Sequence, residues 1–382
     1  MSGSGREYRD ALPNALPAGN PGRRHAAGLN PGNRFETNRF WLDGDFADEL
    51  AGELAEHDDR PGRVSLEVIA DTTRTIINKV DPTSDVPFSR TVSPYRGCAH
   101  SCIYCYARPY HEFLGYSCGL DFETKLIVKH DAPSLLKREL ADPRWQPVPI
   151  VMSAITDVYQ PLEAKLGLTR QCLQIMAEAG QPVATMTKGS LVLRDLDLWS
   201  ELASKNAGHV TVTIVTLDPK LAATLEPQAA SPAVRLKMIR KLASAGVPVN
   251  VNVSPIIPGL TDVETPRILE AVADAGATSA RWVLLRLPYQ LKELFVDWMQ
   301  RNLHPDRAAR VESLLRQSHF GKLYDARSTD THTRGRGTGP IAGQIRNTFN
   351  VFARRYGLDR PMPPLLGEHF KHPTIGQMRL FD

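Results

Sequence analysis

From Thr91 to Leu287, short runs rich in β-branched residues alternate with segments of helical period, and no other feature restricts the fold as much. Strands separated by helices pair in parallel, because each crossover helix carries the chain back to the same end of the sheet. Strands are predicted at Thr91–Tyr95, Pro149–Ile155, Pro182–Thr187, His209–Leu217, Pro248–Ile257 and Ala280–Leu287. Between them Leu168, Cys172, Ile175, Met176 and Ala179 share one helical face, as do Val234, Met238 and Leu242. Gly180 and Gly246 stand where those helices should stop. Six βα units are too few to close an eight-stranded barrel. The expected fold is therefore α/β, a partial (βα)6 barrel with its functional groups at the carboxyl ends of the strands.

Composition narrows the class. Of 382 residues, 42% are hydrophobic and 23% charged, which excludes collagen-like, coiled-coil and wholly disordered chains. No apolar run approaches a membrane span, since Arg286 interrupts even Trp282–Leu287, and Met1–Asp10 lacks a secretory apolar stretch. A cytoplasmic protein is expected. The first 35 residues are rich in Gly, Pro, Asn and Arg, and an acidic stretch at 43–59 offers a short helix around Phe46–Leu54. The chain thus divides into a largely flexible extension (1–60), a core (61–300) and a C-terminal extension (301–382). That last part carries 14 Lys/Arg against 7 Asp/Glu, whereas residues 1–300 carry 32 against 35. A basic appendage on a near-neutral body suits phosphate contacts, so nucleic acid is an expected partner through 301–382.

Five cysteines in 382 residues argue against a disulfide scaffold. Three of them, Cys98, Cys102 and Cys105, form a CxxxCxxC directly after the first predicted strand. Soft thiolates in one tight loop suit an iron–sulfur cluster, zinc or copper(I). A structural zinc site usually has a fourth protein ligand, and no second CxxC exists here, although His100 lies inside the loop. Three ligands would leave one metal position open for chemistry. Cys172 falls on an apolar helical face and reads as core, while Cys118 lies in a Gly-rich stretch and reads as a loop thiol.

This CxxxCxxC, with Tyr104 before its third cysteine and a six-fold βα pattern behind it, resembles the radical S-adenosylmethionine (SAM) superfamily. Tyr95-Arg-Gly-Cys98, Tyr104-Cys-Tyr-Ala-Arg108, Asp121-Phe-Glu-Thr-Lys125, Thr156-Asp-Val-Tyr-Gln-Pro-Leu-Glu163 and Thr187-Lys188 resemble the branch containing spore photoproduct lyase, the DNA repair photolyase-like proteins. The resemblance implies a 4Fe-4S cluster on Cys98, Cys102 and Cys105, with SAM on the unique iron. It also implies reductive cleavage of SAM by an electron from an external donor, and abstraction of hydrogen from a substrate. By the same resemblance Tyr104 packs near the adenine, Thr156 and Asp157 lie near the methionyl amine, and Lys188 pairs with the SAM carboxylate; read from the residues alone, Asp157 equally suits a cap of the following loop. Thr213, Thr216, Asn252, Ser254 and Arg286 are polar positions on predicted strands, and SAM would give them partners. Spore photoproduct lyase returns hydrogen through a cysteine after its second strand; Val151-Met-Ser-Ala-Ile155 contains none, which puts the same reaction in doubt and leaves Cys118 as the substitute hydrogen donor to weigh against a loop thiol without redox work.

Thr333-Arg-Gly-Arg-Gly-Thr-Gly339 reads as a basic loop, and Ile345, Phe349 and Phe352 follow at helical spacing beside Arg346, Arg354 and Arg355. Gln377, Leu380 and Phe381 resemble the short QxxLF peptides that dock bacterial repair proteins on the sliding clamp, which makes that clamp an expected partner. The function expected is a radical SAM enzyme, of lyase or transferase type, in nucleic-acid repair or modification. The alternatives are the same chemistry on a protein, peptide or small molecule, or a non-enzymatic iron–sulfur or zinc module.

Overall fold

In the computed structural model the residues described are 25–35, 66–324 except 83 and 85, and 335–374. Ten strands are β1 (Glu67–Ala70), β2 (Ile77–Lys79), β3 (Arg90–Val92), β4 (Tyr95–Arg96), β5 (Lys125–Val128), β6 (Ile150–Met152), β7 (Val183–Thr187), β8 (Gly208–Ile214), β9 (Val249–Ile256) and β10 (Ser279–Leu284). The main helices are α1 (Ala132–Leu140), α2 (Leu168–Ala179), α3 (Leu196–Ser204), α4 (Pro232–Ser244), α5 (Thr265–Asp274), α6 (Leu291–Asn302), α7 (Pro305–Gln317) and α8 (Gly339–Arg355).

The larger sheet has the order β10-β9-β8-β7-β6-β3-β2, parallel from β10 to β3 with β2 antiparallel at the edge. Its six parallel strands are the six predicted ones, and the fold is the partial barrel expected. Two strands end early for identifiable reasons. Ser153 adopts φ of 87°, which takes the chain out of extended conformation after Met152. Pro94 has no N–H to give a ladder, and the predicted Thr91–Tyr95 strand divides there into β3 and β4. β4 belongs to a small second sheet, β1-β5-β4, that the alternation did not foretell.

Alternation along the strands sorts side chains onto two faces. Val249, Val251 and Val253 of β9 stand in register with Val210, Val212 and Ile214 of β8, all buried. They pack under Met176 of α2, Trp199 of α3, Met238 of α4 and Leu269 of α5. The alternate positions, Asn250, Asn252, Ser254, Thr211 and Thr213, face the concave side. Leu168, Cys172, Met176 and Ala179 are buried as the periodicity predicts, with Ile175 half-buried; Gly180 and Gly246 have the left-handed φ of helix stops. Val234 departs from the prediction: it is 38% exposed, because the buried stripe of α4 runs through Arg235, Met238, Ile239 and Leu242 and leaves Val234 at its margin.

Part of the segment read as extension is packed. Within His25–Phe35, Ala26 and Ala27 are buried beside Phe295, Trp298 and Met299 of α6. Likewise, Ile345, Phe349 and Ala353 of α8 join the main core. The predicted helix around Phe46–Leu54 and the Gln377, Leu380 and Phe381 motif lie outside the described residues. Among the described residues no helix is long and apolar enough to cross a membrane.

Candidate active site

The cysteine loop begins at a position that only glycine fits. Gly97 has φ of 77°, and a Cβ there would lie 3.0 Å from Lys125 O and 3.1 Å from Phe122 O. The loop is then pinned to separate elements, Cys98 N donating to Phe122 O and Ile103 N to Leu225 O, each at 3.0 Å. Ser101, between the first two cysteines, is fully buried with φ of 60°, a costly conformation that its surroundings must impose. Cys98 and Cys102 are buried and Cys105 is half-buried. Burial pushes the Cys102 and Cys105 thiols up, and the neighbouring sulfurs add to it.

Beneath the loop lies a layer of buried charge. Tyr104 donates its hydroxyl to Glu226, which also receives Arg235. Burial opposes the Glu226 charge, but Arg235 and then Lys188 outweigh it and hold the carboxyl below its ordinary range. The Lys188 ammonium lies 5.6 Å from the Tyr104 ring centre. Burial opposes its charge too; Cys102, Glu226 and Cys105 outweigh it and raise its pKa. On the other side, Arg108 donates to Cys102 O at 2.9 Å and to Gly119 O at 2.8 Å, and pairs with buried Glu123. Glu123 in turn accepts from His25 Nδ1 at 3.0 Å and Ala27 N at 3.1 Å. Gln160 receives Ala99 N at 2.8 Å.

Thr156 and Asp157 follow β6 as expected, but protein groups engage both. Thr156 donates to Gly97 O at 2.6 Å. Asp157 accepts from Tyr159 N (2.9 Å), Thr187 Oγ1 (2.7 Å), Lys188 N (2.8 Å) and His100 Nδ1 (3.1 Å). Four donors fill the lone pairs of one carboxylate, so Asp157 joins the exits of β6 and β7 to the cysteine loop rather than reaching toward an ammonium. Burial would lower the His100 pKa, but Asp157 overrides it and raises His100 to about 9, while Asp157 falls to about 2. Next to this, Gly189 lies so close to Tyr159 that a Cβ would come within 2.3 Å of the Tyr159 carbonyl oxygen.

Asn252 and Ser254 lie half-buried on the concave face, with Asn252 Nδ2 3.7 Å from Met186 Sδ. Buried polar atoms on this face, Thr213 Oγ1, His209 Nδ1 and Asn250 Oδ1, have no hydrogen-bond partner among the described residues. Thr216 instead binds Glu264 at 2.6 Å, and Arg286 donates to Tyr324 at 3.4 Å. Cys118 and Cys172 are fully buried, Cys172 in the main core as predicted. Burial raises the Cys118 thiol to about 12. Sequence reasoning missed Glu226 and His25, whose partners Tyr104 and Glu123 lie 122 and 98 residues away, and Arg235, whose pairing with Glu226 around one short loop carries no period to reveal it.

The Radical SAM superfamily model matches residues 92–272, the span from β3 through most of α5. The chain belongs to the radical SAM superfamily. It is 34% identical over 249 residues to an uncharacterised protein of Mycobacterium bovis, covering 65% of this chain and 73% of that one. It is 31% identical over 185 residues to an uncharacterised protein of Methanocaldococcus jannaschii, covering 48% and 67%. A solved structure of a spore photoproduct lyase mutant matches with a TM-score of 0.53 at 15% identity, over 81% of this chain and 91% of that one. A spore photoproduct lyase variant with bound AdoMet and dinucleoside spore photoproduct matches equally, with a TM-score of 0.53.

A radical SAM protein is an enzyme that works with a 4Fe-4S cluster and SAM. The non-enzymatic module weighed from the cysteines alone is therefore set aside. The residues present fit both groups. Three thiols share one pinned loop, the Lys188 ammonium lies 5.6 Å from the ring of Tyr104 beside the third of them, and buried polar atoms without a partner among the described residues line the concave face. His100 is committed to Asp157 rather than completing a zinc site.

Proposed function

We propose that this radical SAM enzyme acts on nucleic acid, in the repair or modification of a base. In this reading Cys98, Cys102 and Cys105 hold the cluster, and Lys188 pairs with the SAM carboxylate through a charge-assisted contact. Tyr104, fixed by Glu226, packs toward the adenine, and Asn252 and Ser254 meet the remainder of the cofactor on the concave face. Thr156 and Asp157 are positioning residues that hold the loop and Lys188 in place. When bound, the cluster supplies the electron that cleaves SAM, so that a hydrogen can be taken from the substrate, and an external donor renews that electron.

The observation that carries the nucleic-acid reading is the charge of residues 301–382, 14 Lys/Arg against 7 Asp/Glu, with Arg346, Arg354 and Arg355 exposed on α8. The match to a spore photoproduct lyase bound to a dinucleoside is in keeping with it. Docking on a sliding clamp through Gln377, Leu380 and Phe381 belongs to the same reading. The test is anaerobic reconstitution with iron and sulfide, then SAM, a reductant and candidate DNA or RNA, with 5′-deoxyadenosine measured. Nucleic acid should raise its yield in the wild type, and Cys98→Ala, Cys102→Ala or Cys105→Ala should abolish it while Cys172→Ala retains it. Cleavage indifferent to every nucleic acid would overturn the substrate class.

A further inference from the structure

At the free edge of β10 the sheet meets the C-terminal part of the chain. Ala280 N donates to Leu358 O at 2.8 Å and Leu284 N to Gly335 O at 2.9 Å. Between these two contacts a cleft of about 580 Å³ opens, walled by Arg281, Arg336, Arg346 and Arg354, with Asp359 as its one carboxylate. The Arg336 guanidinium lies 4.5 Å over the Trp282 ring, and Trp282 is braced by Phe349 at 6.0 Å. A guanidinium seated over a buried indole still has N–H donors to offer, and its fork suits the paired oxygens of a phosphate. Its surroundings are unfavourable to a lone cation: burial first, then Arg281 and Arg346, lower the Arg336 pKa. Arg354 has a weak match in Asp359, 3.9 Å away.

We infer that this cleft is a binding site for successive phosphates of a nucleic-acid strand, separate from the cysteine loop. The spacing selects a chain of anions over a single one. Arg346 and Arg354 are eight residues apart on α8, about 12 Å along the axis at 1.5 Å per residue. That distance exceeds one phosphate, whereas a strand laid across the sheet edge would meet Arg354, Arg346 and Arg336 in turn. Phosphate contacts of this kind fix register and orientation without reading sequence. The identity of the polyanion rests on the function proposed above.

The test uses the full chain and a fluorescent single-stranded oligonucleotide, with anisotropy followed across a salt series. Arg346→Gln with Arg354→Gln should weaken binding at least tenfold at low salt. It should also flatten the slope of log K against log salt by about 1.4, at about 0.7 per lost contact on a single strand. Lys237→Gln with Arg240→Gln, an equal loss of charge on exposed α4 positions, should leave the slope unchanged. Arg336→Lys keeps the charge but loses the planar fork, and should weaken binding with the slope retained. If the wild type binds and the α4 pair weakens it as much as the α8 pair, the cleft is wrong and the nucleic-acid reading stands. If the wild type binds no oligonucleotide at any salt, both fall.

Discussion

The two faces of the parallel sheet are built from the same strands and come to opposite ends. On the convex side Val249, Val251 and Val253 with Val210, Val212 and Ile214 meet helices and are closed off from water. On the concave side Asn250, Asn252, Ser254, Thr211 and Thr213 occupy the intervening positions, and polar atoms remain there without partners among the described residues. One face finishes the fold, where hydrophobic burial dominates. The other leaves hydrogen-bonding capacity unspent, open to water or to a ligand.

That contrast can be broken outright. Val251→Asp would place an unpaired carboxylate in the convex core and should abolish soluble expression. Asn252→Asp, one residue along and facing the other way, should express normally; equal losses would mean the two faces do not differ. A finer version compares truncations by chemical denaturation. Ile214→Ala should cost about 2–4 kcal/mol by leaving a cavity, whereas Asn252→Ala should stay within about 0.5 kcal/mol.

Ligand binding should show the reverse order. Lys188→Ala should weaken SAM binding by about 1–3 kcal/mol, read by anaerobic calorimetry, with the cluster spectrum unchanged. Full SAM affinity in that variant would remove Lys188 from the cofactor site. The smallest effect concerns pH. Burial lowers the His209 pKa below its ordinary 6.5, so the unfolded chain binds a proton more readily than the folded one. Stability should therefore fall as pH drops below about 6.5, and less steeply in His209→Gln, as followed by thermal melts. Parallel curves for the two proteins would show that His209 is not held neutral by the fold.

The sequence displayed this two-faced design in places. Val-Asn-Val-Asn-Val-Ser at 249–254 spells out the alternation, and the three cysteines announce themselves by spacing. Less visible was what holds the cysteine loop. Tyr104 meets Glu226 across 122 residues, and Glu123 meets His25 across 98, so neither pair leaves a local pattern. Asp157 stood at the end of its strand with two readings, a carboxylate ready for an ammonium or a cap of the following loop, which look identical in one dimension; Tyr159 N on Asp157 fits the cap, and its other donors left no local pattern. The β1-β5-β4 sheet escaped notice because its strands are two to four residues long, and β5 follows a short helix without a break.

The seat of His25 on Glu123 sets a schedule for the nascent chain. At synthesis rates of about 5–20 residues per second, the 98 residues between them take on the order of 5–20 s to emerge. For that interval the His25–Phe35 segment has nothing to close upon. Even after Glu123 appears, its seat also needs α6, whose Phe295 and Trp298 pack with Ala26 and Ala27 and are made later still. The earliest part of the described chain is thus among the last to settle, and the Arg108–Glu123 side of the cysteine loop is sealed only after the loop has been made.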